Sequence, residues 1–289
     1  MRVLVTGVKG QLGYHVVQEL EKRNHTAIGV DIEEMDITNA EETRNVIENS
    51  HVEAVIHCAA YTAVDAAEEN VELCRKVNVD GTRNIAEVCG RHQIKMIYIS
   101  TDYVFDGEGT RPWKPDDVVV QPLNVYGQAK YDGEREVQRY VKSYFIVRTE
   151  WVFGENGHNF INTMLRLGKK NGKVGVVADQ VGSPTYTRDL AVLLAEMVET
   201  DKYGIYHASN EGYCSWYEFT KEIYRQAGME DVQVTPLTSE EFPAKAKRPH
   251  NSRLDKSKLT ENGFHLLPPW QDALRRYLKN KLADDRVFD

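Results

Sequence analysis

Tyr126 and Lys130 stand four residues apart in NVYGQAK (124–130), a spacing that puts both on one face of a helix. The pair suits a proton transfer. Hydride delivered to a carbonyl carbon leaves charge on the oxygen, which then needs a proton. A tyrosine supplies it near neutrality if its pKa falls from about 10, at about 1.36 kcal/mol per unit. A lysine ammonium beside the phenol, screened from water, provides much of that stabilisation and can also reach ribose hydroxyls. On its own, the same spacing describes a solvated patch on a helix. A second motif decides between the two. YISTDYVFDG (98–107) brings Ser100, Thr101, Asp102 and Tyr103 to the C-terminal end of a strand, the edge where open α/β sheets bind ligands. Thr101 there would hydrogen-bond the reacting oxygen and orient the carbonyl.

VTGVKGQLG (5–13) follows the first strand and spaces Gly7, Gly10 and Gly13 ahead of a helix. Glycines in this turn let the backbone approach a pyrophosphate and let the helix sit against the sheet, its first N–H groups meeting phosphate oxygens. Gln11 and Leu12, which open that helix, are candidate cofactor contacts with Gly7 and Gly10. Asp31 closes the second strand, where a carboxylate accepts hydrogen bonds from a ribose 2′-hydroxyl and repels a 2′-phosphate. That favours NAD, although Lys9 in the glycine turn can offset the repulsion. Asp36 in MDIT (35–38) either bonds an adenine amino group or caps the following helix, with Ile37 beside it.

The elements that must position these residues alternate. RVLVT, TAIGVD, AVIHCAA, KMIYIS and YFIVRT read as strands; QLGYHVVQELEKR, EETRNVIENS, CRKVNVDGTRNIAEVCGRH and KYDGEREVQRYVK read as helices. This predicts an α/β fold, a Rossmann-like doubly wound parallel sheet. A dinucleotide-binding domain is expected over 1–151, completed by part of 178–208. A smaller α/β substrate-binding domain is expected mainly over 152–289, with helices at NFINTMLRLGKK, TRDLAVLLAEMVET and, after a Ser215 cap, SWYEFTKEIYRQAG.

The bulk properties narrow the class. With 289 residues, 41% hydrophobic and 28% charged, the chain reads as globular, and no run nears the roughly 18 apolar residues a membrane span needs. MRVLVTGVKG enters a strand at once and has no signal-peptide core, so a cytoplasmic location is expected. Cys58, Cys74, Cys89 and Cys214 lack metal or redox spacing and read as free thiols. A net charge of −8 speaks against nucleic acid as a partner and leaves room for a small anionic substrate.

The series TGVKGQLG, AAYTAVDAAE, YISTDYVFDG, PLNVYGQAKYDGE, RTEWVFG, ADQVGSPTYTRDLA, SWYEFT and RPHNSRLDKSKL resembles, in order and over nearly the whole chain, the dTDP-4-dehydrorhamnose reductase family of extended short-chain dehydrogenase/reductases. The resemblance implies that NADPH, or alternatively NADH, delivers hydride to C4 of a dTDP-4-keto sugar, with Thr101, Tyr126 and Lys130 as catalytic residues. It implies that Ala59, Ala60 and Tyr61 line the cofactor and that Thr62, Val64, Asp102, Tyr103 and Trp151 lie near the sugar. Arg248 is then the partner of the diphosphate, suited to it by the bidentate fork of guanidinium. Glu150 and Phe153 stand where members often carry serine and tyrosine. Some members form a dimer around Mg²⁺ held by a glutamate where this chain has His15, a poor ligand for a hard cation, so no metal and a monomer or weak homodimer are expected. Two rivals share the pattern. A sugar dehydratase or epimerase has the same pair, but the dehydratases follow their threonine with Asp-Glu, whereas Asp102 here precedes Tyr103. A non-catalytic regulatory subunit of methionine adenosyltransferase also retains much of this sequence.

Overall fold

Five strands with almost unbroken apolar runs, β1 (Arg2–Thr6), β2 (Thr26–Val30), β3 (Ala54–His57), β4 (Lys95–Thr101) and β5 (Tyr144–Thr149), form the centre of the molecule. Runs of this kind suit strands covered on both faces. In the computed structural model, which describes residues 1–283, they pair in parallel in the order β5-β4-β3-β1-β2. A sixth parallel strand, Gly204–His207, adds to the outer edge of β5. Helices α1 (Gln11–Lys22), α2 (Ala40–Ser50), α3 (Val64–Ala67), α4 (Val71–Arg75), α5 (Thr82–His92) and α6 (Val125–Tyr140) connect the first five strands. On one face, α1 packs with α8 (Thr187–Val198) over Val3, Val5, Ile97 and Phe145; Leu259, Phe264 and Leu267 from the C-terminal region enter the same core. On the other, residues of α2, α5 and α6 cover Leu4, Val55, Met96 and Ile146.

A separate, aromatic-rich core forms around α7 (Phe160–Asn171), α9 (Trp216–Gln226) and the helix Trp270–Ala283, beside a two-stranded parallel pair, Lys173–Val177 with Gln233–Leu237. Phe153 stacks on Tyr186 there, with ring centroids 5.3 Å apart. Ser215 caps α9 through a reciprocal capping box with Glu218.

One local difference from the sequence reading matters for the site. The stretch 74–92 is not one helix: α4 and α5 are joined by a π-helical segment, Lys76–Gly81, which widens the helix. In that segment Asn78 accepts the Tyr61 N–H (2.8 Å) and donates to the Tyr61 carbonyl (3.0 Å), clamping the loop after β3. Helix α6 begins at Val125, five residues before Lys130, because the Asn124 side chain accepts the Gly127 N–H and caps it.

Helix α6 can lie this close to the end of β4 because residue 127 has no side chain. A Cβ at Gly127 would sit 2.2 Å from the Tyr103 carbonyl oxygen. Gly→Ala in a helix ordinarily stabilises by about 0.5–1 kcal/mol. Gly127→Ala should instead lower stability by about 1–3 kcal/mol through overpacking against backbone, read as a drop in the urea midpoint with unchanged slope.

Candidate active site

The glycine turn, the loop after β3, the end of β4 and the first turns of α6 meet above the C-terminal edge of the sheet. The turn is tight: Gly7 has φ 70°, and a Cβ there would meet the Ala59 nitrogen at 2.8 Å. Gly13 is pressed closer still, its missing Cβ 2.3 Å from the Gly7 carbonyl oxygen. These approaches leave a cleft of about 710 Å³. Gly7, Gly10, Gln11, Leu12, Asp31, Ala59 and Ala60 line it, as do Thr62, Val64, Thr101, Asp102, Tyr103, Trp151, Tyr126 and Lys130. An adjoining cavity of about 300 Å³ shares Gly7, Asp31, Ala59 and Ala60 and is walled further by Asp36 and Ile37. The two together suit an elongated dinucleotide, with a bare backbone cradle at the turn and apolar walls in the smaller cavity.

Lys130 is 3% exposed, and among the described residues its ammonium has no hydrogen-bonding oxygen; it lies 4.0 Å from the centroid of the Tyr98 ring. Burial lowers its pKa to about 7, partly offset by Glu134 on the next turn. Glu134 itself is held by Arg148 (2.7 and 2.8 Å) and by Ser100 (2.5 Å). Tyr126 behaves differently from the sequence expectation. Burial raises its phenol, Asp102 adds to the rise, and the Thr101 hydroxyl works the other way. Lys130 does not pull the phenol toward neutrality here, because both groups have lost the hydration their charged forms require. A phenol that keeps its proton at neutral pH is the form a proton donor needs.

Asp102 is the hub beside it. Its carboxylate accepts Thr101 Oγ1 (3.0 Å) and Ser252 Oγ (2.5 Å), and burial raises its pKa to about 6 against those donors. Glu150, 2% exposed, accepts the Ser183 N–H at 2.8 Å, and burial with help from Asp102 holds its carboxyl well above the usual range. Trp151 adopts φ 45°, an outlier for a bulky residue, and its ring stacks on Trp216 with centroids 3.7 Å apart. His57, under the cleft floor, is a core histidine between Thr6 and Thr82, its pKa lowered by burial to about 3.

Four assigned residues have other partners. Arg248 forks onto Asp65 (3.1 and 2.8 Å) and is not among the cleft-lining residues; the carboxylate satisfies the bidentate geometry expected for a diphosphate. Asp36 does not cap α2, whose cap is Asn39; it accepts the N–H and hydroxyl of Thr38 at the wall of the smaller cavity. The Gln11 side chain bridges to the Gly154 N–H (2.8 Å) and the His158 carbonyl (3.2 Å). Tyr61 packs beside Tyr126 outside the lining. His15 is buried between Thr187 (2.8 Å) and Glu155 (3.1 Å). Ser252, Asn78 and Trp216 escaped the sequence reading; only Ser252 and Trp216 lay inside motifs already singled out, RPHNSRLDKSKL and SWYEFT.

Glycine cradle, parallel sheet and Tyr-Lys pair define an oxidoreductase of the short-chain dehydrogenase/reductase type. The family model described as RmlD substrate binding domain matches residues 1–283. A curated dTDP-4-dehydrorhamnose reductase of Aggregatibacter actinomycetemcomitans is 40% identical over 95% of this chain and 97% of its own. A spore coat polysaccharide biosynthesis protein of Bacillus subtilis is 37% identical over 97% and 98%. A crystal structure of dTDP-4-dehydrorhamnose reductase from Bacillus anthracis, in complex with NADP, superposes with a TM-score of 0.93 at 42% identity, covering 96% of this chain and 99% of that one. The chain belongs to the dTDP-4-dehydrorhamnose reductase family.

The depressed Lys130 has a thermodynamic signature. Between about 7 and the ordinary value of 10.5 the unfolded chain holds a proton that the folded one lacks, so stability rises with pH across that window. Lys130→Met should flatten that rise and, at pH 7, exceed the parent by on the order of a few kcal/mol. Urea titrations at pH 7 and pH 9.5 measure it; equal slopes in both proteins would refute the assignment.

Proposed function

We propose that the protein reduces the C4 ketone of dTDP-4-dehydro-L-rhamnose to dTDP-L-rhamnose with NADPH or NADH. The observation that carries this is the convergence of Thr101, Tyr126 and Lys130 on one cleft with the glycine cradle, in a chain of this family. The cradle's fit is argued from the missing Cβ atoms of Gly7 and Gly13, and the ribose site from the buried, unpartnered ammonium of Lys130.

The nicotinamide supplies the hydride. Tyr126, half-buried at the cleft wall and protonated, gives its proton to the C4 oxygen as charge develops there. Lys130 holds ribose hydroxyls and stabilises the phenolate once it forms. Thr101, whose hydroxyl proton is held by Asp102 in the unliganded cleft, turns that proton to the C4 oxygen when the substrate binds and so orients the carbonyl. Asp102 with Ser252 keeps that threonine in one rotamer.

In this reading Gly7, Gly10, Gln11, Leu12 and Asp31 serve the pyrophosphate and ribose, with Ala59, Ala60 and Tyr61 behind them and Asp36 and Ile37 at the adenine. Thr62, Val64, Asp102, Tyr103 and Trp151 face the sugar. Arg248 takes the diphosphate by exchanging Asp65 for it, a swap of one bidentate acceptor for another. The first unit, 1–151 with part of 178–208, holds the dinucleotide, and the remainder of 152–289 holds the sugar nucleotide. The working form is a metal-free monomer or weak homodimer in the cytoplasm.

The test is cofactor oxidation in the presence of dTDP-4-dehydro-L-rhamnose. Tyr126→Phe should lose roughly 10²-fold or more in kcat while binding cofactor as the parent does. No oxidation by the parent, or a Tyr126→Phe variant as fast as the parent, would refute the proposal.

A further inference from the structure

Glu150 is a buried carboxyl in the cleft wall that the proton transfer does not use. Its Oε2 accepts the Ser183 N–H at 2.8 Å. Glu150 Oε2, Ser252 Cβ and Trp151 Cε2 converge on Gly182, at 2.2, 2.9 and 3.0 Å from the point a Cβ there would occupy. On the other side, Glu150 Oε1 adjoins the Ser209 hydroxyl, and neither oxygen has a hydrogen-bond partner elsewhere among the described residues. The turn that Glu150 holds is a joint. Val181 and Gly182 pair with Ser215 and Cys214, which lead directly into Trp216. The Val181 carbonyl accepts the Ser252 N–H (2.8 Å), and the Thr185 N–H donates to the Trp151 carbonyl (3.1 Å). Trp151 and Trp216 in the cleft wall, and Ser252 on Asp102, therefore take their places from one turn.

A carboxylate only accepts hydrogen bonds, whereas a carboxylic acid accepts on one oxygen and donates from the other. We propose that Glu150 is a positioning residue for the reduction: as an acid it accepts from the Ser183 N–H and donates to the Ser209 hydroxyl, and this bridge sets the turn that places Trp151, Trp216 and Ser252. The groups around it favour that form. Burial comes first, and the charge of Asp102 adds to it. Lys256, the cation that faces it, works the other way but is engaged by Glu211 (3.0 Å) and by the Asn210 carbonyl (3.2 Å). Tyr213 and Cys214 also face it, and burial keeps both protonated. A second carboxylate beside Asp102 would moreover repel the charge that develops on the C4 oxygen. The inference rests on the reading of the cleft as that of a nucleotide-sugar reductase.

Infrared difference spectra and kinetics of the full chain test it together. At neutral pH the parent should show the carbonyl band of a protonated carboxyl that Glu150→Gln removes. Glu150→Met, similar in volume but without either hydrogen bond, should lower kcat roughly 10- to 100-fold while the Kd for NADPH stays within about twofold. Glu150→Gln keeps an acceptor and a donor without charge, and should rescue kcat to within about threefold of the parent. The acid limb of kcat/KM that Asp102 sets, near its pKa of about 6, should stay in place in Glu150→Gln, because no charge has been removed. An ionised Glu150 would instead let that limb fall by about a pH unit. No carbonyl band, a limb that falls, or a Glu150→Met variant as fast as the parent would overturn the inference and leave the reductase reading intact. If the parent oxidises no cofactor with the nucleotide sugar, the reductase reading fails and the inference with it.

Discussion

The site depends on an ammonium group that the fold has stripped of most of its water, since Lys130 is 3% exposed at the cleft wall. Lys130 has the Tyr98 ring at 4.0 Å and a carboxylate, Glu134, one turn further along its own helix. That carboxylate is not free to move toward it, since Arg148 and Ser100 occupy its oxygens. The lysine is thus left with a desolvation cost that only an incoming ligand with hydroxyl acceptors can repay. Much of the surrounding architecture follows from keeping it there: a helix packed to backbone contact at Gly127, a π segment that turns Asn78 onto the loop opposite, and a histidine beneath that stays neutral. Ligand affinity and folding stability are in this sense opposed at one residue.

The second organising group is Asp102. It receives two hydroxyl protons, from the catalytic-strand threonine and from Ser252 near the other end of the chain. Through it, Thr101 is tied to the segment that also carries Arg248. Glu150, also lining the cleft, keeps its proton because burial and Asp102 hold its carboxyl well above the usual range.

What was legible in the sequence was what repeats locally. Apolar runs bounded by turns gave five strands within a residue or two, apart from AVIHCAA, whose last three residues are loop. The glycine spacing and the Tyr-Lys interval each report a geometry spanned by a few residues. The π segment was invisible because its residues, KVNVDG, have helical patterning, and its width is imposed by what Asn78 must reach. Ser252 and Asn78 act on residues 150 and 17 positions away, and no local pattern encodes such pairings. Arg248 was assigned by side-chain type, which correctly names a bidentate acceptor but cannot distinguish a phosphate from the Asp65 carboxylate that holds it. The direction of the Tyr126 shift was misjudged for a related reason: spacing gives proximity to a cation, whereas burial, which dominates, is set by the whole fold.

The sixth strand of the sheet has a consequence for how the chain is made. Gly204–His207 covers the open edge of β5 only after the polypeptide has passed through α7 and α8. During synthesis, the first five strands emerge with one long flank unpaired, and the α1 side lacks the cover of α8. An uncovered parallel edge is a template for foreign strands, and contacts this far apart in sequence close slowly. Completing the six-stranded sheet therefore waits on residues that follow α7 and α8 in the chain, which ties its folding to that later segment.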